Sequence, residues 1–307
     1  SGLEFRGWTK YPENTAAYLS APNDGKSSGA NDEKLRAFSL SESDETRSAR
    51  FIGSWAGFKK ELAGLIRFTK GSNRGKFSMT AEDVEMLIEC FVGDIVKIQE
   101  LGFDGVELHG AHGYLIDNFF WEGTNQRADN FGGSIDKRTA FACEIVKRAR
   151  AKVGSDFPMA IRFSQWKQQD FDAKLAYTEE DLKTFLMPLV EAGIDMFHAS
   201  NRRYWEPEFE GSNLNLAGWT KKLTGLPTIT VGSVGLKSDF IGLYAGEDAV
   251  ESQSIDDLVK RMEADEFDMV AIGRALLSDP EWVKKVKAGD FEEIIPFEKK
   301  YAREVYF

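Results

Sequence analysis

Residues 102–114 read GFDGVELHGAHGY. Val106 and Leu108 mark a short strand, and Gly102 separates it from the helical pattern before it. The strand runs out into His109-Gly-Ala-His112-Gly-Tyr114. The chain has only three histidines, so two of them around one turn, with a tyrosine close by, concentrate polar rings at a strand end. Upstream, Thr80-Ala-Glu-Asp83 has the form of a helix start, with Thr80 as cap and Asp83 reaching back to it. Met86, Leu87, Cys90, Phe91, Ile95 and Ile98 then recur at helical spacing and give one apolar face. Downstream, helical patterns near 136–152, 178–192 and 254–264 alternate with short strands. These are PMAIRFS (158–164), DMFHAS (195–200), PTITVGS (227–233) and FDMVAIGRA (267–275). Alternating strands and helices predict an α/β chain with a parallel sheet. The length, 307 residues, suits one (β/α) barrel, which typically runs about 250 residues.

The texture differs before residue 80. No valine precedes Val84, the only earlier isoleucines are Ile52 and Ile66, and the first methionine is Met79. Buried parallel strands are rich in Val, Ile and Leu because both faces are covered. Residues 1–79 therefore contain no convincing core strand. Residues 20–50 are rich in Ser, Asn, Asp, Glu and Gly and read as loop or disorder. Residues 54–67 form the best early helix, with Trp55, Phe58, Leu62 and Ile66 on one stripe. The expected organisation is an atypical polar segment over 1–79 and a barrel portion over 80–307. The fold class is a TIM (β/α)8-type barrel, incomplete or atypical at its N-terminus.

Composition narrows the partners. The formal net charge is −11, and an acidic surface repels nucleic acid and anionic lipid. No apolar run approaches the roughly 20 residues of a membrane span. No signal peptide opens the sequence, and Ser1-Gly2 has the look of a cloning scar. Cys90 and Cys143 both sit in helical patterns, which predicts two reduced, buried thiols in a cytoplasmic protein.

In a (β/α) barrel, functional residues lie at the C-terminal ends of the strands. Four ends here carry unusual residues. His109, His112 and Tyr114 present N–H and O–H donors suited to one carbonyl or anion-like oxygen, and a phenol can also donate a proton. A structural capping histidine is the bland alternative. A zinc site is a weaker one, because no third ligand stands nearby. Arg162 places a positive charge at the end of a buried strand, which calls for an anionic ligand or a structural carboxylate partner. Gly232-Ser233 and Gly273-Arg274 close the last two strands. Glycine lets backbone N–H groups approach phosphate oxygens, and arginine adds a charged donor.

These residues carry a family resemblance. GFDGVELHGAHGYLIDNFFWEGTNQRADNFGGSIDKR resembles the central motif of old yellow enzyme relatives, the NADH:flavin oxidoreductases and FMN-dependent ene-reductases. RFSQWKQQDF, RRYWEPEFEGSNLNLAGWTKKLTG, TITVGSVG and VAIGRALLSDPEWV continue it in order, so it spans about residues 79–282. The resemblance implies FMN at the barrel mouth, with NADH or NADPH as reductant and an α,β-unsaturated carbonyl compound as substrate. By position, Arg162 is similar to the arginine at the flavin N1/O2 edge. Gly232, Ser233, Gly273 and Arg274 are similar to the phosphate grip, His109 and His112 to the carbonyl-binding pair, and Tyr114 to the proton donor. The N-terminal part departs from the pattern: neither the family's first strand nor the later Gln that binds the pyrimidine ring is recognisable. Two further readings follow. One is a non-catalytic barrel remnant, or a barrel completed by a partner chain at an exposed strand edge. The other is a barrel lyase or aldolase with a different phosphorylated ligand. A homo-oligomer stays open.

Overall fold

Thr80 starts the first long helix by reciprocal capping. Its hydroxyl accepts the Asp83 N–H at 3.1 Å, and the Asp83 carboxylate accepts the Thr80 N–H at 2.8 Å. Two N–H groups that a helix start leaves without an internal partner are thereby satisfied. Helix α1 (Ala81–Glu100) buries Val84, Leu87, Ile88, Phe91, Val92, Ile95 and Ile98. Gly102, at φ 84°, turns the chain toward the sheet. A computed structural model describes residues 3–4, 79–244 and 248–304.

Five strands run parallel and stand side by side in chain order. They are β2 (Val106–His112), β3 (Met159–Lys167), β4 (Met196–Ser200), β5 (Thr228–Val231) and β7 (Met269–Ala271). Helices α4 (Ala140–Val153), α5 (Glu179–Ala192), α6 (Leu216–Thr224) and α8 (Asp256–Glu263) fill the successive crossovers. A doubly wound sheet reverses its strand order at a switch point. This order never reverses, which is the winding of a (β/α) barrel. Strand β1 (Leu3–Glu4) pairs antiparallel with β2. A small second sheet joins β6 (Ala249–Val250) to β8 (Phe297–Glu298). The short helices are α2 (Leu115–Phe120), α3 (Ile135–Arg138), α7 (Ile241–Tyr244), α9 (Arg274–Ser278), α10 (Trp282–Ala288) and α11 (Lys299–Glu304).

Period-two alternation divides the strand residues between two faces. Leu108, Ile161, Phe163, Phe197 and Ala199 join the helices in the main hydrophobic core. Phe185 of α5 is central there, edge-on to Phe120 at 4.9 Å and tilted against Phe163 at 5.4 Å. The opposite face carries polar side chains among apolar ones. His109, Arg162, His198 and Ile229 are register partners on four neighbouring strands, so they lie at one level of it.

All five strands expected from the sequence are present, with α1 and its capping box. The helix expected at 136–152 is two helices, α3 and α4, meeting at Thr139. Both cysteines are free thiols, but Cys90 is half-buried rather than buried, because it sits at the margin of the α1 apolar face. No helix among the described residues is long and apolar enough to cross a membrane. The loop expected at 20–50 and the helix expected at 54–67 lie outside the described residues.

Phe185 has no exposed surface. Phe185→Ala is expected to cost about 3–5 kcal/mol through lost burial and a residual cavity. Urea unfolding would measure this as a lower midpoint with an unchanged slope.

Candidate active site

The end of β2 is shaped by close packing. A Cβ at Gly110 would meet a Phe120 ring carbon at 2.9 Å and the Arg162 carbonyl at 3.2 Å, so only glycine fits. The ladder slips between Gly110 and His112, and His112 and Gly113 then take left-handed backbone angles, φ 64° and 79°. This double turn folds three rings together. His109 lies 5.1 Å from Tyr114 and 5.2 Å from His112, centroid to centroid. His109 is buried, His112 half-buried, and the Tyr114 side is open at 41% exposure. The structure thus brings together the three residues that the sequence had singled out.

Beneath the rings, Ser200 joins three elements. Its hydroxyl accepts an N–H from Arg162 at 3.1 Å and lies 2.7 Å from His112 Nε2. Its carbonyl accepts the Trp166 indole N–H at 3.0 Å, while Trp166 stacks on His112 at 4.3 Å. Burial, and then the Arg162 charge, push the His112 pKa down to about 2. The ring is neutral at ordinary pH, with one nitrogen as donor and one as acceptor. Deeper in, His198 Nδ1 lies 2.7 Å from Glu107 Oε2, with both residues almost fully buried. Arg162 stands between their strands. The third histidine therefore belongs to the same inner face. The alternation of DMFHAS was its only sequence signal.

A buried ion pair closes the other side of the turn. Lys167 Nζ donates to Asp117 Oδ1 at 2.8 Å, and both side chains are fully buried. Burial pushes the Asp117 carboxyl up to about 6 against the pull of Lys167, and burial also pushes the Lys167 ammonium down. The sequence reading did not find this pair. Lys167 lies inside RFSQWKQQDF, and its partner Asp117 is 50 residues away.

The two glycine motifs close β5 and β7, which pair through Val231 and Ala271. Gly232 has φ 143°, and a Cβ there would meet the Asn201 carbonyl at 2.7 Å. Ser233 is left-handed at φ 54°, and its hydroxyl donates to the Arg202 carbonyl at 2.9 Å. Arg274 donates to the Ser233 hydroxyl at 3.1 Å and to the Ser238 carbonyl at 2.8 Å. A Cβ on Gly273 would meet nothing within 4 Å, so space is open above this strand end. A guanidinium, a hydroxyl and open backbone on adjacent strand ends fit a phosphate group. Among the described residues no group of three His, Cys, Asp or Glu is placed to hold a metal ion.

The sequence model of the NADH:flavin oxidoreductase / NADH oxidase family matches residues 57–293. An NADH oxidase from Thermoanaerobacter brockii is 37% identical over 224 residues, covering 70% of this chain and 31% of that protein. A cinnamate reductase from Clostridium sporogenes is 30% identical over 241 residues, covering 71% of this chain and 33% of that protein. The chain thus spans about a third of the length of these two relatives. The solved structure of the old yellow enzyme homologue from Zymomonas mobilis superposes with a TM-score of 0.54 at 18% identity. That match covers 72% of this chain and 55% of the other, and it shows a shared barrel fold.

The neutral His112 makes a pH prediction. The folded chain protonates this ring only near pH 2, the unfolded chain near 6.5. The unfolded state then binds more protons, so stability falls as pH drops below about 6.5. NMR of the His112 ring is expected to show no titration between about pH 8 and pH 4, whereas a midpoint near the ordinary value would show a solvated ring.

Proposed function

The chain belongs to the NADH:flavin oxidoreductase / NADH oxidase family, and from that premise we propose that it is an FMN-dependent ene-reductase. It moves hydride from NADH or NADPH, by way of the flavin, to the activated C=C bond of an α,β-unsaturated carbonyl compound. The observation that carries this reading is the gathering of His109, His112 and Tyr114 at the end of β2, beside Arg162. The similarity to a cinnamate reductase supports the substrate class.

FMN, when bound, supplies the hydride; the chain's residues hold, polarise and protonate. Gly232, Ser233, Gly273 and Arg274 would hold its phosphate, and Arg162 its electron-rich ring edge, where a fixed positive charge stabilises negative charge. The two imidazoles donate to the substrate carbonyl oxygen. Their contribution grows as negative charge develops there, so they favour the transition state over the ground state. Ser200 fixes the orientation of His112, and the stacked Trp166 keeps that ring flat against the wall. The Tyr114 phenol, exposed on the open side, gives its proton to the α-carbon.

Colour is the first test. Purified protein, or protein incubated with FMN, is expected to show a flavin absorption band that NADH or NADPH bleaches. A colourless protein that takes up no FMN would favour the non-catalytic barrel. A second test concerns the phosphate grip. A charge-assisted hydrogen bond is worth about 1.5–3 kcal/mol, so Arg274→Ala is expected to weaken FMN binding roughly 10- to 150-fold. Unchanged FMN affinity in the folded variant would remove Arg274 from the site. A third test isolates the proton donor. Tyr114→Phe is expected to slow alkene reduction while leaving the reaction with the nicotinamide nearly intact; stopped-flow measurement separates the two. Equal slowing of both would make the phenol a positioning group instead.

A further inference from the structure

We propose that the buried Lys167–Asp117 pair is the positioning device for Tyr114: it holds the His112–Gly113 turn in the shape that aims the phenol. The inference rests on the functional reading above for what Tyr114 does, but its geometry stands apart from that reading.

Tyr114 needs such a device. Its side chain is 41% exposed, and the His109 ring stands beside it at 5.1 Å. Little packing fixes it, so its position is set by the backbone that carries it. That backbone turns through two successive left-handed residues, one of them a histidine, which is strained for a residue with a Cβ.

The backbone groups of the turn show what holds it. The His112 N–H donates to the Ser164 hydroxyl at 2.9 Å, and the Gly113 N–H to Asp117 Oδ2 at 2.6 Å. The His112 carbonyl accepts the Gln168 N–H, and the Gly113 carbonyl accepts from Asn118 and Gln169 side chains. The Tyr114 N–H returns to the Ala111 carbonyl, and its carbonyl accepts the Asn118 N–H. The bond from Gly113 to a carboxylate is charge-assisted and is the shortest of these. Lys167 stands behind it: its ammonium donates to Asp117 Oδ1 and to the Ser164 carbonyl at 3.0 Å. It therefore touches both residues that hold the turn's N–H groups. Lys167 is also the ladder partner of His112 beyond the slip in β2.

A purely structural account fits poorly. An ion pair with no exposure gives up the solvation of both charges, and an apolar pair of similar volume often stabilises a core as well or better. Leucine and methionine in these places would fill the space, but they could not accept the Gly113 N–H. What the pair adds beyond packing is the hold on the turn.

Two double variants separate these roles. Lys167→Met with Asp117→Leu removes both charges and the acceptor for Gly113. Lys167→Met with Asp117→Asn removes both charges and keeps an amide oxygen in that place. Both avoid leaving one buried charge alone, the change most damaging to folding. Amide hydrogen exchange over residues 110–118 is the first readout, and it does not depend on activity. The Leu variant is expected to exchange there at least tenfold faster than the unmutated protein, with α1 and α5 unchanged. The Asn variant is expected to recover most of the protection. With FMN bound at an affinity within threefold of the unmutated protein, kcat for an alkene is expected to fall at least tenfold in the Leu variant and to recover in the Asn variant. Protection or kcat at the unmutated level in the Leu variant, or no recovery in the Asn variant, would overturn the proposal: the first leaves the pair as core filling, the second removes the Gly113 acceptor as the hold. If the unmutated protein bound FMN but reduced no alkene, the functional reading would fall, and the exchange comparison would still decide whether the pair holds the turn.

Discussion

Everything at the mouth of this barrel depends on strand register. In a parallel sheet the residues paired across the ladder share a face, and successive residues of one strand point to opposite faces. His109, Arg162, His198 and Ile229 share a level, while the neighbouring Leu108, Ile161 and Phe197 face the helices. A slip of one residue between β2 and β3 would drive His109 into the hydrophobic core and turn Leu108 inward. The apolar residues thus place the polar ones. Burial of the leucine, isoleucine and phenylalanine face sets the register, and the register delivers imidazole, guanidinium and hydroxyl groups to one side.

That inner face carries charged and titratable groups that a barrel interior does not ordinarily contain. They are tolerated because they answer one another. Glu107 meets His198 and Arg162 meets Ser200, and on the other side of the β2 turn Lys167 meets Asp117. The setting of His112 has its own consequence. Burial first, and then the Arg162 charge beside it, keep the His112 ring neutral. A neutral imidazole beside a fixed guanidinium can donate a hydrogen bond without drawing a carboxylate counter-ion into the site.

The fold was largely legible in the sequence, since it is written in local patterns: period-two runs for five strands, helical spacing for α1, and a cap at Thr80. The three rings were legible because they lie within six consecutive residues. Their supports were not. Asp117 and Lys167 are 50 residues apart, and Glu107 and His198 are 91 apart. A polar residue inside a strand has no visible partner until the register is known. Ser200 was passed over for the same reason, its neighbours Arg162 and His112 coming from two other strands. Helix α6 was missed although Asn215 caps it and Gly225 ends it, because its nine residues follow a long polar loop. Strands β1, β6 and β8 have two residues each, too few for any periodicity.

Backbone strain gives an independent account of where function sits. Three non-glycine residues among those described are left-handed: His112, Ser233 and Asp265. Such a residue costs on the order of 1–3 kcal/mol and persists when its surroundings over-determine it. Asp265 follows α8, where a left-handed residue commonly ends a helix, and it needs no further account. His112 and Ser233 end strands β2 and β5. Each is tied to other strand ends: His112 through Ser164 and Ser200, Ser233 through the Arg202 carbonyl and Arg274. Neither turn would need a residue with a side chain if reversing the chain were its only task, since glycine would reverse it at less cost. Both instead place a polar side chain where an extended backbone would not: an imidazole in the ring cluster at one end, a hydroxyl against Arg274 at the other. The strain is concentrated at the two sites where carbonyl and phosphate recognition are proposed.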